Sequence, residues 1–160
     1  MTDGTGSTVT DRLAELGITL PPVAAPVASY VPAVQTGDLV FTSGQLPFTD
    51  GALPATGAVG EDGAAVSPAD ATAYARTATL NALAAIDDLV GVDNVRQIVK
   101  VVGFVASAPG FGGQPGVVNG ASELLGEIFG EAGAHARSAV GVAELPLGSP
   151  VEVELTVRVS

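Results

Sequence analysis

Arg137 heads a run of small and β-branched residues, Arg137-Ser-Ala-Val-Gly-Val142. A guanidinium there can hold a carboxylate through two parallel hydrogen bonds, which fixes orientation as well as charge. Ala139 and Gly141 share its face of the predicted strand and leave room for a ligand. The ordinary alternative is a surface ion pair, because the chain carries 17 acids against 6 bases and most charges are solvated. Glu152 and Glu154 share one face of an alternating segment. Paired carboxylates can divide acid and base work, although a solvated strand face has the same pattern. His135, two residues before Arg137, has the chemistry of a proton shuttle but reads first as a surface residue near a turn. Ser43-Gly44-Gln45 closes an apolar run, where backbone N–H groups could hold an anion or simply turn the chain. Tyr30 reads as packing at a strand start, and Asn119 as the polar face of a helix. Gly110-Phe-Gly-Gly113 is a candidate hinge or lid.

What is missing narrows the chemistry. There is no cysteine and one histidine, which excludes disulfides, thiolate metal sites and a multi-histidine metal site within one chain. No phosphate loop, Gly-x-Ser-x-Gly elbow or cysteine nucleophile occurs. Hydrolysis without a protein nucleophile remains compatible. The formal charge is −11, and the six cations are scattered, so neither nucleic acid nor an anionic membrane is an expected partner. The first seven residues lack the basic and apolar regions of a signal peptide. No apolar run reaches the roughly 18 residues that span a bilayer. The expectation is a soluble cytoplasmic protein.

The elements that must position these residues follow from periodicity. The 160 residues suit one domain, able to bury roughly 70% of its unfolded surface. Residues 1–25 read as a tail, a short helix over Thr10–Gly17 and a proline-rich connector; residues 26–160 read as the domain. Tyr30–Val34 and Leu39–Ser43 flank Gly37-Asp38 and predict a hairpin. Thr49–Val66 is a long loop. Ser67, Pro68 and Asp70 mark a helix start, with apolar spacing that runs to Gly91. Ile98–Ala106 is a buried strand, and Val117–Phe129 a second amphipathic helix. Ser138–Leu145 and the strictly alternating Val151–Val159 complete an order β-β-α-β-α-β-β. This is an α+β arrangement, with two helices burying Val140, Val142 and the odd-numbered C-terminal residues on one face of a mixed sheet. The opposite face carries small and polar residues, suited to water or to copies of the chain.

Three segments, in this order and spacing, resemble the RidA/YjgF family of imine and enamine deaminases. They are Ser29-Tyr-Val-Pro-Ala-Val34 with Leu39-Val-Phe-Thr-Ser-Gly-Gln-Leu-Pro47, then Val117-Val-Asn-Gly120, then Ala136–Pro146 running into Val151-Glu-Val-Glu154. The resemblance covers roughly Pro26 to Val159. It implies a chorismate-mutase-like fold and a homotrimer, with sheets packed into a barrel and ligand clefts between subunits. It also implies hydrolysis of reactive 2-imino and enamine acids, such as 2-aminoacrylate, to 2-keto acids and ammonia, with no metal or organic cofactor. Arg137 then matches the arginine that binds the substrate carboxylate, and Glu152 the glutamate beside the attacking water. Tyr30, Ser43, Gly44 and Asn119 match pocket positions, and Ala139 a backbone contact. His135 stands where proline is usual, and Ala139 where many members carry cysteine. The first helix and the longer Thr49–Val66 and Ser107–Pro115 loops are similar to a longer bacterial branch. A keto-acid-binding protein without turnover is the rival reading, and the charge argues against a ribonuclease.

Overall fold

The structure, a computed structural model, describes residues 6–26 and 28–160. Its first two helices begin where a side chain satisfies unpaired backbone groups of the helix terminus. The first helix, α1 (Val9–Glu15), has a reciprocal cap: Asp11 N donates to Thr8 Oγ1 and Thr8 N to the Asp11 carboxylate, each at 3.0 Å. Helix α2 (Pro68–Val90) is capped by Ser67, whose hydroxyl accepts from Asp70 N at 3.1 Å. Its end is Gly91, at a φ of 80°, a conformation that favours glycine. Helix α3 (Gln114–Phe129) starts three residues before the predicted Val117, with Pro115 in its first turn.

Five strands form one sheet: β1 (Ala33–Thr36), β2 (Leu39–Thr42), β3 (Val95–Ala106), β4 (Ala136–Val142) and β5 (Val151–Val159). Their spatial order is β1-β2-β5-β3-β4. Only β3 and β4 run parallel, because α3 carries the chain back between them. Strands β1 and β4 are therefore the sheet edges. Tyr30 lies before β1 and not in it; Pro32 has no N–H to give a ladder.

Helices α2 and α3 cover one face, burying Val101, Val105, Val153, Leu155 and Val157. Small residues let these layers approach closely. Ala71, Ala75, Ala78 and Ala82 of α2 are all buried, and a Cβ on Gly120 of α3 would run into the Thr72 carbonyl. That closeness reverses one expectation. Val140 and Val142 do not point at the helices. Arg137, Ala139 and Gly141 do, in register with Val101, Gly103 and Val105. A Cβ on Gly141 would lie 2.7 Å from Gln114 Nε2 and 2.9 Å from Ser107 Oγ, so a larger residue there would have to push those side chains aside. Val140 is left on the open face, 42% exposed, with Phe41 (39%) and Val34 (51%). Glu152, Glu154, Thr156 and Arg158 share that open face, as the alternation of β5 predicts.

Candidate functional site

Arg137 is second in the edge strand β4, opposite Val101, and reaches across to α3. Its Nη1 donates to Asn119 Oδ1 at 2.7 Å and to Ser122 Oγ at 3.3 Å, and Nη2 donates to the Pro115 carbonyl at 3.2 Å. All three acceptors are neutral. Ion pairs among the described residues join Arg12 to Glu15 and Arg76 to Glu127; Arg137 has no carboxylate partner there. Of five guanidinium protons, those on Nε and one on Nη2 remain for a ligand. The surface-pair alternative for Arg137 is therefore not what the fold builds.

Asn119 and Ser122 stand three apart on α3 and so share a face, which brings both to the guanidinium. Ser122 was not among the residues singled out from the sequence; its spacing from Asn119 was the available signal. His135 departs from the surface reading. It is half-buried, with Nε2 at 2.9 Å from Ser122 Oγ and Nδ1 at 2.6 Å from the Gly133 carbonyl. Ala139 lies one pleat beyond Arg137 on the same face, packed against the core. Because β4 is an edge strand, backbone groups along its outer side have no ladder partner among the described residues.

A second group lies elsewhere. A cavity of about 50 Å³ is lined by Tyr30, Gly44, Gln45, Phe48, Pro146 and Glu152, among others. From the Phe41–Thr156 pair to the Gln45–Val153 bridge, β2 and its extension advance four residues while β5 advances three, a bulge of one residue that re-aims the chain. Gly44 sits in it. A Cβ on Gly44 would occupy the position of the Glu152 carboxylate, so only glycine admits that side chain. Ser43 is already committed: its hydroxyl donates to the Val31 carbonyl at 2.6 Å and its N–H to that of Pro32 at 2.8 Å. Gln45 N–H donates to Val153 O. Of the three candidate anion donors in this turn, Gly44 N–H alone has no partner among the described residues.

Glu152 is half-buried, and its carboxyl is pushed above the ordinary range, first by burial and then by the nearby Glu154 carboxylate. A wider hollow of about 610 Å³ between the 19–25 connector and α2 shares Ala24, Ala25 and Phe48 with the Glu152 cavity, but neither Arg137 nor Glu152 lines it.

Register separates the two groups. Arg137 pairs through Val101 with Leu155, on the helix face; Glu152 pairs with Phe104, which pairs with Val140, on the open face. The bulges of β3 lie earlier, before Lys100, so the alternation is unbroken between them. Within one chain Arg137 and Glu152 occupy opposite faces of the sheet.

The mixed five-stranded sheet, with two helices on one face, places the molecule among chorismate mutase-like α+β proteins. Residues 10–158 match the family described as "YjgF/chorismate_mutase-like, putative endoribonuclease", and the chain belongs to that family. It is similar to Protein TCP17 of Trypanosoma cruzi, at 42% identity over 95% of this chain and 94% of that one. It is also similar to the protein Atu1372 from Agrobacterium tumefaciens, of unknown function, at 41% identity and a TM-score of 0.85, over 95% and 92% of the two chains. The structure of Escherichia coli TdcF with bound serine is a more distant likeness: 29% identity, a TM-score of 0.59, and coverage of 88% and 94%. Among the described residues no helix is long and apolar enough to cross a membrane.

Proposed function

We propose that the protein hydrolyses reactive 2-imino and enamine acids to 2-keto acids and ammonia. The observation that carries this reading is the setting of Arg137. In a chain with 17 acids, its guanidinium is held by three neutral oxygens, keeps donors on Nε and Nη2, and meets no carboxylate among the described residues. A carboxylate on a small substrate completes it. The serine bound by TdcF carries such a group.

In this mechanism Arg137 clamps the substrate carboxylate. Gly44 N–H and the outer backbone of β4 near Ala139 assist, and Asn119, Tyr30 and Ser43 shape the pocket. Glu152 takes a proton from water as the oxygen attacks the C=N carbon. It returns a proton to nitrogen as the C–N bond breaks, and the hydroxyl proton passes to the departing ammonia as the C=O forms. The overall change is R₂C=NH₂⁺ + H₂O → R₂C=O + NH₄⁺. A carboxyl whose proton affinity is raised by burial is suited to both transfers. Orientation and fixed donors supply most of the acceleration.

Opposite sheet faces cannot meet in one chain, so the cleft joins the Arg137 side of one subunit to the Glu152 side of another. The open face, with Val34, Phe41 and Val140, is the contact between copies, in a homotrimer. The family description also names an endoribonuclease. A net charge of −11 opposes binding of a polyanion.

A semicarbazide competition assay tests the reading. An amino-acid oxidase supplies 2-imino acids, semicarbazide traps them, and the protein competes by hydrolysis. Loss of semicarbazone with the wild type and not with Arg137→Ala is the expected result. No loss across the panel would move the assignment to carboxylate binding without turnover.

A further inference from the structure

The hydrogen bonds that hold Arg137 do not stop at α3. Ser122 receives Nη1 of Arg137 and also meets His135 Nε2, and His135 Nδ1 meets the Gly133 carbonyl. A carbonyl only accepts, so Nδ1 carries the proton; in the neutral ring Nε2 is then an acceptor. The Ser122 hydroxyl donates to it, and its oxygen lone pairs turn toward the guanidinium. Every donor runs one way: Arg137 to Ser122, Ser122 to His135, His135 to Gly133.

Helical hydroxyls have an easier option. Thr72, Thr77 and Thr79 of α2 all donate to the carbonyl four residues back, those of Pro68, Ala73 and Ala75. Ser122 makes no such bond; its partners are His135 and Arg137. Something must draw the hydroxyl away from the helix, and the imidazole is the group placed to do so. Gly133 in turn is fixed by packing: it is buried, and a Cβ there would run into the Leu125 carbonyl of α3.

We propose that His135 is a positioning residue for Arg137. Acting through Ser122, it fixes the rotamer in which the guanidinium presents its free Nε and Nη2 donors to a substrate carboxylate. This rests on the anion-binding role of Arg137 proposed above. It also gives a reason for histidine two residues before the arginine, a place where a proline could not make these bonds.

The chain has one histidine, so its ¹⁵N–¹H spectrum at pH 8 needs no assignment. The Nδ1–H form is expected in the wild type; the Nε2–H form would overturn the relay. Pyruvate titrations supply the second reading. Ser122→Ala and His135→Asn should each weaken pyruvate binding by roughly 3- to 10-fold, the scale of one hydrogen bond, and raise KM with little change in kcat. Their combination should be no worse than the weaker single variant. His135→Gln, which keeps an acceptor within reach of Ser122, should recover affinity to within about twofold of wild type. Additive losses, or failure of His135→Gln to recover while it melts like wild type, would reduce His135 to packing. A wild type that binds no pyruvate would sink the anion reading; the tautomer then decides the relay alone.

Discussion

Arg137 stands among neutral oxygens, while Glu152 stands against a glycine and near another carboxylate. Among the described residues neither charge has an opposite charge beside it, and the two are handled in opposite ways. The cation is left fully charged and geometrically fixed, with three of its donors engaged. The acid is placed where its proton is harder to remove. The first arrangement suits an anion that must be oriented, the second a proton that must move. A stabilising design would have paired charges with partners. Leaving both unpaired on opposite faces of one sheet reads as two halves of a site awaiting each other.

The largest expected effect comes from keeping the halves apart. Val140→Glu puts a charge on the open face without touching either group. We expect monomers by light scattering and deamination reduced to background; an active monomer would break the two-subunit cleft. Next, Arg137→Ala should weaken keto-acid binding by about 10²–10³-fold, as expected when one partner of a hydrogen-bonded charge pair is removed, with the assembly intact. Arg137→Lys should recover only part, because it lacks the fork.

Glu152→Gln should lower kcat by about 10²-fold or more and leave pyruvate affinity within a few-fold. Its stability should move the other way. The folded carboxyl holds its proton to higher pH than the unfolded one. Between those two values the native chain binds more protons, so stability falls as pH rises through that window. Removing the charge removes the loss, and the variant should melt higher than wild type at neutral pH. A lower melting temperature there would contradict the unpaired, half-buried setting of Glu152.

Gly44→Ala is a milder form of the same test. The added methyl displaces the Glu152 carboxylate, so kcat should fall by roughly 10-fold, the cost of misplacing a catalytic group, while pyruvate affinity holds. Equal losses in both would merge the two halves into one network. The smallest effect is expected for Asn119→Ala. It removes one neutral acceptor, about 1 kcal/mol, and should raise KM roughly 5-fold with kcat unchanged.

Much of the fold was legible because it is local. Helix α2 declares itself through Ser67, Pro68 and Gly91, and β5 through an unbroken alternation. Strand β4 was located but turned the wrong way. Hydrophobic pattern assigns Val140 and Val142 to the core, yet the register with β3 sets Arg137, Ala139 and Gly141 beside Val101, Gly103 and Val105 on the helix face. Ser43-Gly44-Gln45 was readable as a turn with backbone donors. Which donors are free was not, since the partners of Ser43 and Gln45 come from the 31–32 segment and from β5.

The sequence by itself determined that this is an acidic α+β chain, without cysteine, and with few cations. Tertiary structure decided what Arg137 and Glu152 meet. Only the crossover through α3 lays Pro115, Asn119 and Ser122 over Arg137, and only pairing to Val101 and to Phe104 on β3 puts Arg137 and Glu152 on opposite faces. Side-chain chemistry is carried by each residue, but the absence of a counter-charge is a property of its surroundings, and those are assembled from distant parts of the chain.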